Sequence, residues 1–183
     1  MLKKLVLVVG CILVSTGLSY GQAANTAGRR YDFQAGGGYT YGRSDYGPAV
    51  KGFALYTTLD VTSHFGGEFV FHQLRQGGGT NLGERTYEIG PRYYRIYGNF
   101  KPYAKAMYGR GVFNFPYNVA NLAYNLFAVG AGVDYAVRDN INVRADFEYQ
   151  RWLSFPPAGL TPQLFTIGVA YHFPGRLQRG LHY

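Results

Sequence analysis

From Ile141 to Gln150 the chain alternates without a break, with Ile, Val, Ala, Phe and Tyr at the odd positions and Asn, Arg, Asp, Glu and Gln at the even ones. A period of two puts the two sets on opposite faces of a strand. Roughly ten residues is also the length at which a tilted strand crosses a hydrocarbon layer. Seven further segments repeat the alternation, so that the predicted strands run roughly over 31–41, 50–61, 65–74, 85–94, 101–110, 126–137, 141–151 and 163–173. Two architectures fit such strands: a soluble sheet with its charges outside, or a membrane barrel with its charges inside.

The connections separate these two. Short ones fall at Thr62 to His64, Arg95 to Phe100 and Arg138 to Asn140, and longer ones at Gly42 to Pro48, Arg75 to Glu84, Gly111 to Asn125 and Trp152 to Pro162. Regular alternation of long and short is the hairpin rhythm of an outer-membrane barrel, with short periplasmic turns and longer outward loops. An even strand number lets the sheet close without a free edge, as a bilayer requires.

Charge placement points the same way. One face carries residues such as Phe53, Leu55, Phe69, Ile89, Val129, Phe147, Ile167 and Val169, and no Asp, Glu, Lys or Arg interrupts it within the segment interiors. The other carries Asp32, Gln34, Glu68, His72, Glu88, Arg92, Lys105, Asp134, Arg144, Asp146, Glu148, Gln150 and His172, interleaved with glycines that leave room in a narrow interior. Tyr39, Tyr41, Tyr87, Tyr108 and Tyr149 are expected at the outer interface, and Tyr31, Phe65, Tyr93, Tyr135 and Tyr171 at the inner one. The predicted fold is all-β: an eight-stranded antiparallel up-and-down transmembrane β-barrel.

Composition agrees. The sequence has 18 Tyr, 13 Phe and 26 Gly, and only 15% charged residues, against about a quarter in soluble domains. Lys3 and Lys4 precede an uncharged apolar stretch from Leu5 to Leu18, which reads as an export signal over 1–21, cleaved after Gly21 or after Ala23. Residues 22–30 are then a periplasmic segment, 31–173 the barrel and 174–183 a periplasmic tail. Cys11 is the sole cysteine; the apolar run continues beyond it, which argues against lipidation, and the mature chain has no thiol for disulfide, nucleophile or metal. Removing Lys3 and Lys4 lowers the formal net charge from +8 to +6. That excess is scattered, which excludes a nucleic-acid interface and suits anionic outer-membrane lipids, including lipopolysaccharide.

Three stretches carry a family resemblance. They are Tyr87-Glu-Ile-Gly-Pro-Arg-Tyr93 with Lys101-Pro-Tyr-Ala-Lys105, Val129-Gly-Ala-Gly-Val-Asp-Tyr135 with Asn142-Val-Arg-Ala-Asp146, and Phe165-Thr-Ile-Gly-Val-Ala-Tyr-His-Phe173. In order and spacing the chain resembles the eight-stranded outer-membrane β-barrel family that includes the transmembrane domain of outer-membrane protein A. The resemblance implies a monomer in the bacterial outer membrane, with Tyr171 and Phe173 as the terminal aromatic signal read by the barrel-assembly machinery. It also makes a lumenal gate conceivable.

The candidate site is the inward charge set Glu68, Glu88, Arg92, Lys105, Arg144, Asp146 and Glu148. Buried ions must be paired, so these are expected to form a salt-bridge network filling the lumen; Lys105 or Arg144 swapping carboxylates would open a narrow water path. The expected role is structural or surface-interacting, with at most slight pore activity. One alternative is an adhesin using the loop aromatics Phe113, Phe115, Tyr117, Trp152 and Phe155, which could instead pack together over the barrel mouth. The other is a lipid-modifying barrel enzyme. For that, Ser63 and His64 are neighbours in a turn and Ser154 lies in a loop, with no base placed beside a nucleophile. The four histidines show no ligand spacing, so neither metal nor cofactor is expected.

Overall fold

The computed structural model describes residues 32–43, 49–77, 82–115, 120–155 and 159–173. The expected signal, the segment 22–30, Tyr31 and the tail after Phe173 lie outside the described residues. Eight strands follow in order: β1 Asp32–Arg43, β2 Val50–Asp60, β3 Phe65–Arg75, β4 Gly83–Tyr94, β5 Phe100–Asn114, β6 Asn121–Arg138, β7 Ile141–Trp152 and β8 Gln163–Phe173. Each pairs antiparallel with the next, and β8 pairs with β1 from Phe33↔Phe173 to Arg43↔Gln163, closing the barrel.

The alternation decides which way each residue faces. Leu55, Phe69, Ile89, Val129, Phe147 and Ile167 are exposed, while Glu68, Glu88, Arg92, Lys105, Arg144, Asp146 and Glu148 are buried. A surface this apolar, wrapped round a charged interior, inverts the arrangement of a soluble protein and fits hydrocarbon as the solvent. Of the expected interfacial aromatics, every one within the described residues is exposed. Neighbouring rings reinforce the inner belt, with Phe65 and Tyr93 at 5.1 Å and Phe100 and Tyr135 at 4.8 Å between centroids.

One hairpin departs from expectation. Residues 111–125 read as a long loop, yet β5 continues to Asn114 and β6 begins at Asn121, with Phe113 opposite Leu122. Gly111 reads as a loop residue but is a point of close approach: a Cβ there would fall against the Trp152 indole. The outer connections are therefore 44–49, 76–82, 115–120 and 153–162, and the inner ones 61–64, 95–99 and 139–140. The longer set lies opposite the start of β1 and the end of β8, which defines the outer end of the barrel.

Two substitutions test this frame. Ile89→Arg, at an outward position in the middle of β4 that is 65% exposed, is expected to weaken folding into lipid bilayers by about 2–4 kcal/mol, whereas Ile89→Leu is expected to be silent; urea titration in vesicles reads both. Gly111→Ala is expected to cost about 1–3 kcal/mol by overpacking. Fluorescence of Trp152, the only tryptophan in the sequence, reports that displacement directly.

Candidate functional site in the barrel lumen

The central lumen is an ionic cage built from opposite walls. Arg92 Nη1 donates to Glu68 Oε2 at 3.1 Å and to Thr58 Oγ1 at 3.2 Å, and its Nη2 donates to Asp134. Arg144 donates to Asp134 through Nε (2.7 Å) and Nη2 (3.1 Å), and to Glu68 Oε2 through Nη1 (2.9 Å). Lys105 Nζ donates to Glu68 Oε1 at 3.1 Å and Asp146 Oδ1 at 2.8 Å. Three cations thus meet three carboxylates, Glu68, Asp134 and Asp146. Aromatic faces complete the enclosure, with Tyr103 3.8 Å from Arg92 Cζ and Tyr56 3.9 Å from Arg144 Cζ. Guanidinium suits this place because its planar fork donates to two partners while its face stacks on a ring.

Above the cage, toward the outer end, lies a second group. Glu88 Oε1 accepts from Thr86 Oγ1 (2.5 Å) and Gln150 Nε2 (2.7 Å), and Gln150 also donates to Glu148 Oε1 at 2.7 Å. His72 Nδ1 lies 3.1 Å from Thr86 Oγ1 and 3.4 Å from Glu88 Oε1. Trp152 Nε1 donates to Gln150 Oε1 at 2.9 Å, coupling the group to what lies over it.

That cover is apolar. Val50, Leu74, Leu82, Met107, Phe113, Leu126, Trp152, Phe155, Leu160 and Leu164 form one buried cluster across the outer end of the lumen. Here an expectation is corrected: Phe113 and Trp152 belong to strands, and both are fully buried, as Phe155 nearly is. Phe115 and Tyr124 pack half-buried against them, with Phe113 and Phe115 at 4.8 Å. Parity explains the outcome, since Trp152 extends the inward series 144, 146, 148, 150 and Phe113 extends 103, 105, 107. Tyr117 lies outside the described residues. The last connection is tied over the mouth by Trp152 N–H donating to Leu160 O at 2.8 Å and Gln150 N–H donating to Pro162 O at 2.9 Å.

At the inner end, Lys101 pairs with Asp60 and stands 3.6 Å from Asp32, which also pairs with His172. From the cage outward the lumen is filled, by the cage, the polar group round His72 and the apolar plug, while a cavity of about 280 Å³ lined by Asp32, Lys101, Asp134, Asn142 and His172 opens at the inner end.

Residues 11–173 match the family described as outer membrane protein beta-barrel domain. The chain is an outer-membrane β-barrel protein. It belongs to that family and resides in the bacterial outer membrane. Among solved structures it is similar to Ail, the attachment invasion locus protein of Yersinia pestis (20% identity, 78% of this chain and 99% of that one, TM-score 0.56). It is also similar to Neisserial surface protein A (17%, 78% and 97%, TM-score 0.59). The N-terminal barrel domain of Pseudomonas aeruginosa OprF aligns likewise (12%, 79% and 100%, TM-score 0.59). No curated protein matches this chain.

Ser63, His64, Ser154, Tyr171 and Phe173 are all exposed on this outer-membrane barrel rather than turned into its lumen. Ser63 Oγ and His64 Nδ1 lie 2.9 Å apart, so the reach denied to them from sequence exists. The pair is exposed in the inner turn, and His64 stacks on Tyr93 at 6.2 Å. Ser154 sits at the opposite end with φ of 62°. Tyr171 and Phe173 are exposed on β8, their rings 5.0 Å apart, and Phe173 meets Phe33 across the closing seam at 5.3 Å.

Removing one ion from the cage leaves its partners uncompensated. Lys105→Met, which keeps the length but not the charge, is expected to cost about 3–5 kcal/mol. Chemical unfolding of the detergent-folded protein measures it; a change below about 1 kcal/mol would mean that water reaches and screens the cage.

Proposed function

We propose that this protein is a sealed, non-enzymatic barrel with a structural or surface-interaction role, held in the outer leaflet through phosphate groups of lipopolysaccharide. The observation that carries this reading is the sorting of charge at the outer end. Arg43, Lys51, Arg75, Arg85, Arg110 and Arg151 are all exposed near the outer strand ends. Glu84, Glu88 and Glu148, at the same end, are all buried. Among the described residues the only exposed acidic side chain is Asp139, in an inner turn.

Lys51 stands directly opposite Arg75 across β2 and β3. Like charges placed so repel each other, and an anion between them turns the repulsion into attraction. Tyr41 and Tyr87 neighbour Lys51 and Arg110 in register, offering rings to the acyl boundary beside the cations. The same reading takes the barrel as a monomer, since closure leaves no edge to share. It also has the assembly machinery read Tyr171 and Phe173.

The alternatives have less behind them. The aromatics on which an adhesin would rely are mostly turned into the plug. An enzyme would need an acid to orient His64 and a donor for an oxyanion, and the exposed Ser63–His64 turn supplies neither among the described contacts.

Two measurements test the reading. In planar bilayers, neither the wild type nor Lys105→Ala is expected to conduct in resolved steps, because the plug above the cage is intact in both. Step openings that appear or grow in the variant would instead establish a lumenal gate. Lipopolysaccharide carried through purification is expected to fall in Lys51→Gln/Arg75→Gln, with affinity down about thirtyfold at about 1 kcal/mol per charge. Equal retention by the double variant would remove the phosphate girdle.

A further inference from the structure

We propose that His72, Glu88 and Glu148 form a lumenal binding site for one divalent transition-metal cation of the zinc kind. The site goes beyond the sealed-barrel role and does not depend on it. The three residues come from β3, β4 and β7, all three are buried, and one ligand atom from each lies within 4.8 Å of the other two. One imidazole nitrogen and two carboxylate oxygens at such separations suit a borderline cation such as zinc, which takes three protein ligands and leaves a fourth position open.

Two further observations point to a cation. The first is an orphaned atom. Glu88 Oε1 accepts from Thr86 and Gln150, yet Glu88 Oε2 is buried with no hydrogen-bond partner. A buried carboxylate oxygen without a partner is costly, and a metal ion is one of the few things that compensates it. The second is charge balance. The cage below is already neutral, with Arg92, Arg144 and Lys105 set against Glu68, Asp134 and Asp146. Lys105 reaches Glu148 Oε2 at 3.0 Å, but its hydrogen bonds go to Glu68 and Asp146. Glu88 and Glu148 are thus left with His72 and with an ammonium that Glu148 shares with Glu68 and Asp146. Two carboxylates this close, in a space that excludes water, need either a shared proton or a cation.

The surroundings are those of a held ligand set. Gln150 bridges Glu88 and Glu148 with 2.7 Å hydrogen bonds to both, and is itself fixed by Trp152. Thr86 contacts both His72 and Glu88. Such outer contacts orient ligands and are characteristic of metal centres. Since the plug closes the site outwardly and the cage closes it inwardly, the ion enters while the barrel is still forming.

The test refolds the mature chain into detergent with zinc alone, removes free metal on a chelating column, and determines bound zinc per chain. One equivalent is expected, retained against added chelator by the folded barrel. Zinc added after folding is expected to bind at least tenfold more slowly. His72→Asn and Glu88→Gln are each expected to weaken retention at least tenfold, while His64→Asn, which alters only the exposed turn, is expected to retain the full equivalent. Heat-modifiable migration on a gel establishes that each variant has folded. Cobalt in place of zinc adds a second readout: intense visible absorption from a four-coordinate site, lost in Glu148→Gln. Less than a tenth of an equivalent in the wild type, or full retention by folded His72→Asn and Glu88→Gln, would overturn the site and leave a shared proton as the compensation.

Discussion

A backbone that crosses hydrocarbon must find every hydrogen bond within its own sheet, and the rest of this molecule follows from how that is met. Pairing β1 with β8 removes the last open edge, and eight strands make a ring whose interior is just wide enough for side chains. In so small a ring an inward side chain meets the opposite wall rather than solvent. Each bulky group therefore needs a gap facing it: Gly111 lies under Trp152, and Gly132 under Tyr103. The filled lumen is thus a geometric consequence of closure at this strand number.

Closure also decides the fate of the charges. Outward positions in mid-strand exclude ions, and inward positions exclude water, so each inward ion must be answered by another across the ring. Glu68 serves three cations from β4, β5 and β7 at once. Toward the outer end the same interior turns apolar, from Leu74 and Met107 up to Trp152 and Phe113. Ionic filling in the middle and apolar filling above are two solutions to one packing problem, joined where Trp152 donates to Gln150.

Most of this was legible along the chain because the period of two is a purely local property. The eight strands, their order, the lipid face and the lumenal identity of Glu68, Arg92, Lys105, Arg144 and Asp146 all follow from parity. What parity cannot say is where a strand stops. Gly111 and the asparagines at 114 and 121 are residue types common in loops, and they mask the continuation of β5 to Phe113, whose odd number points inward like those of Tyr103 and Lys105. Nor does parity say which inward residues meet. His72, Glu88 and Glu148 are scattered in sequence, and only the stagger of the closed sheet brings β7 across to β3 and β4. Spacing rules for metal sites describe ligands on one local element, and they are blind to a site assembled across a lumen.

The ionic middle is hard to explain by stability alone. Burying paired ions returns little over well-packed apolar residues of similar volume, and the plug shows that this barrel packs apolar residues well. An interior apolar throughout would, however, leave each strand with two greasy faces in a bilayer. A slip of one residue in register exchanges the faces of a strand, and with two apolar faces nothing would oppose the slip. With Arg144, Asp146 and Glu148 alternating against Val143, Ala145 and Phe147, the slipped register puts three charges into lipid. At a few kcal/mol for each basic group near the midplane and less for the acids, that penalty rivals the whole stability of an ordinary domain. The lumenal charges therefore act most strongly on the states the chain must avoid, and their mutual pairing is what makes the correct register tolerable.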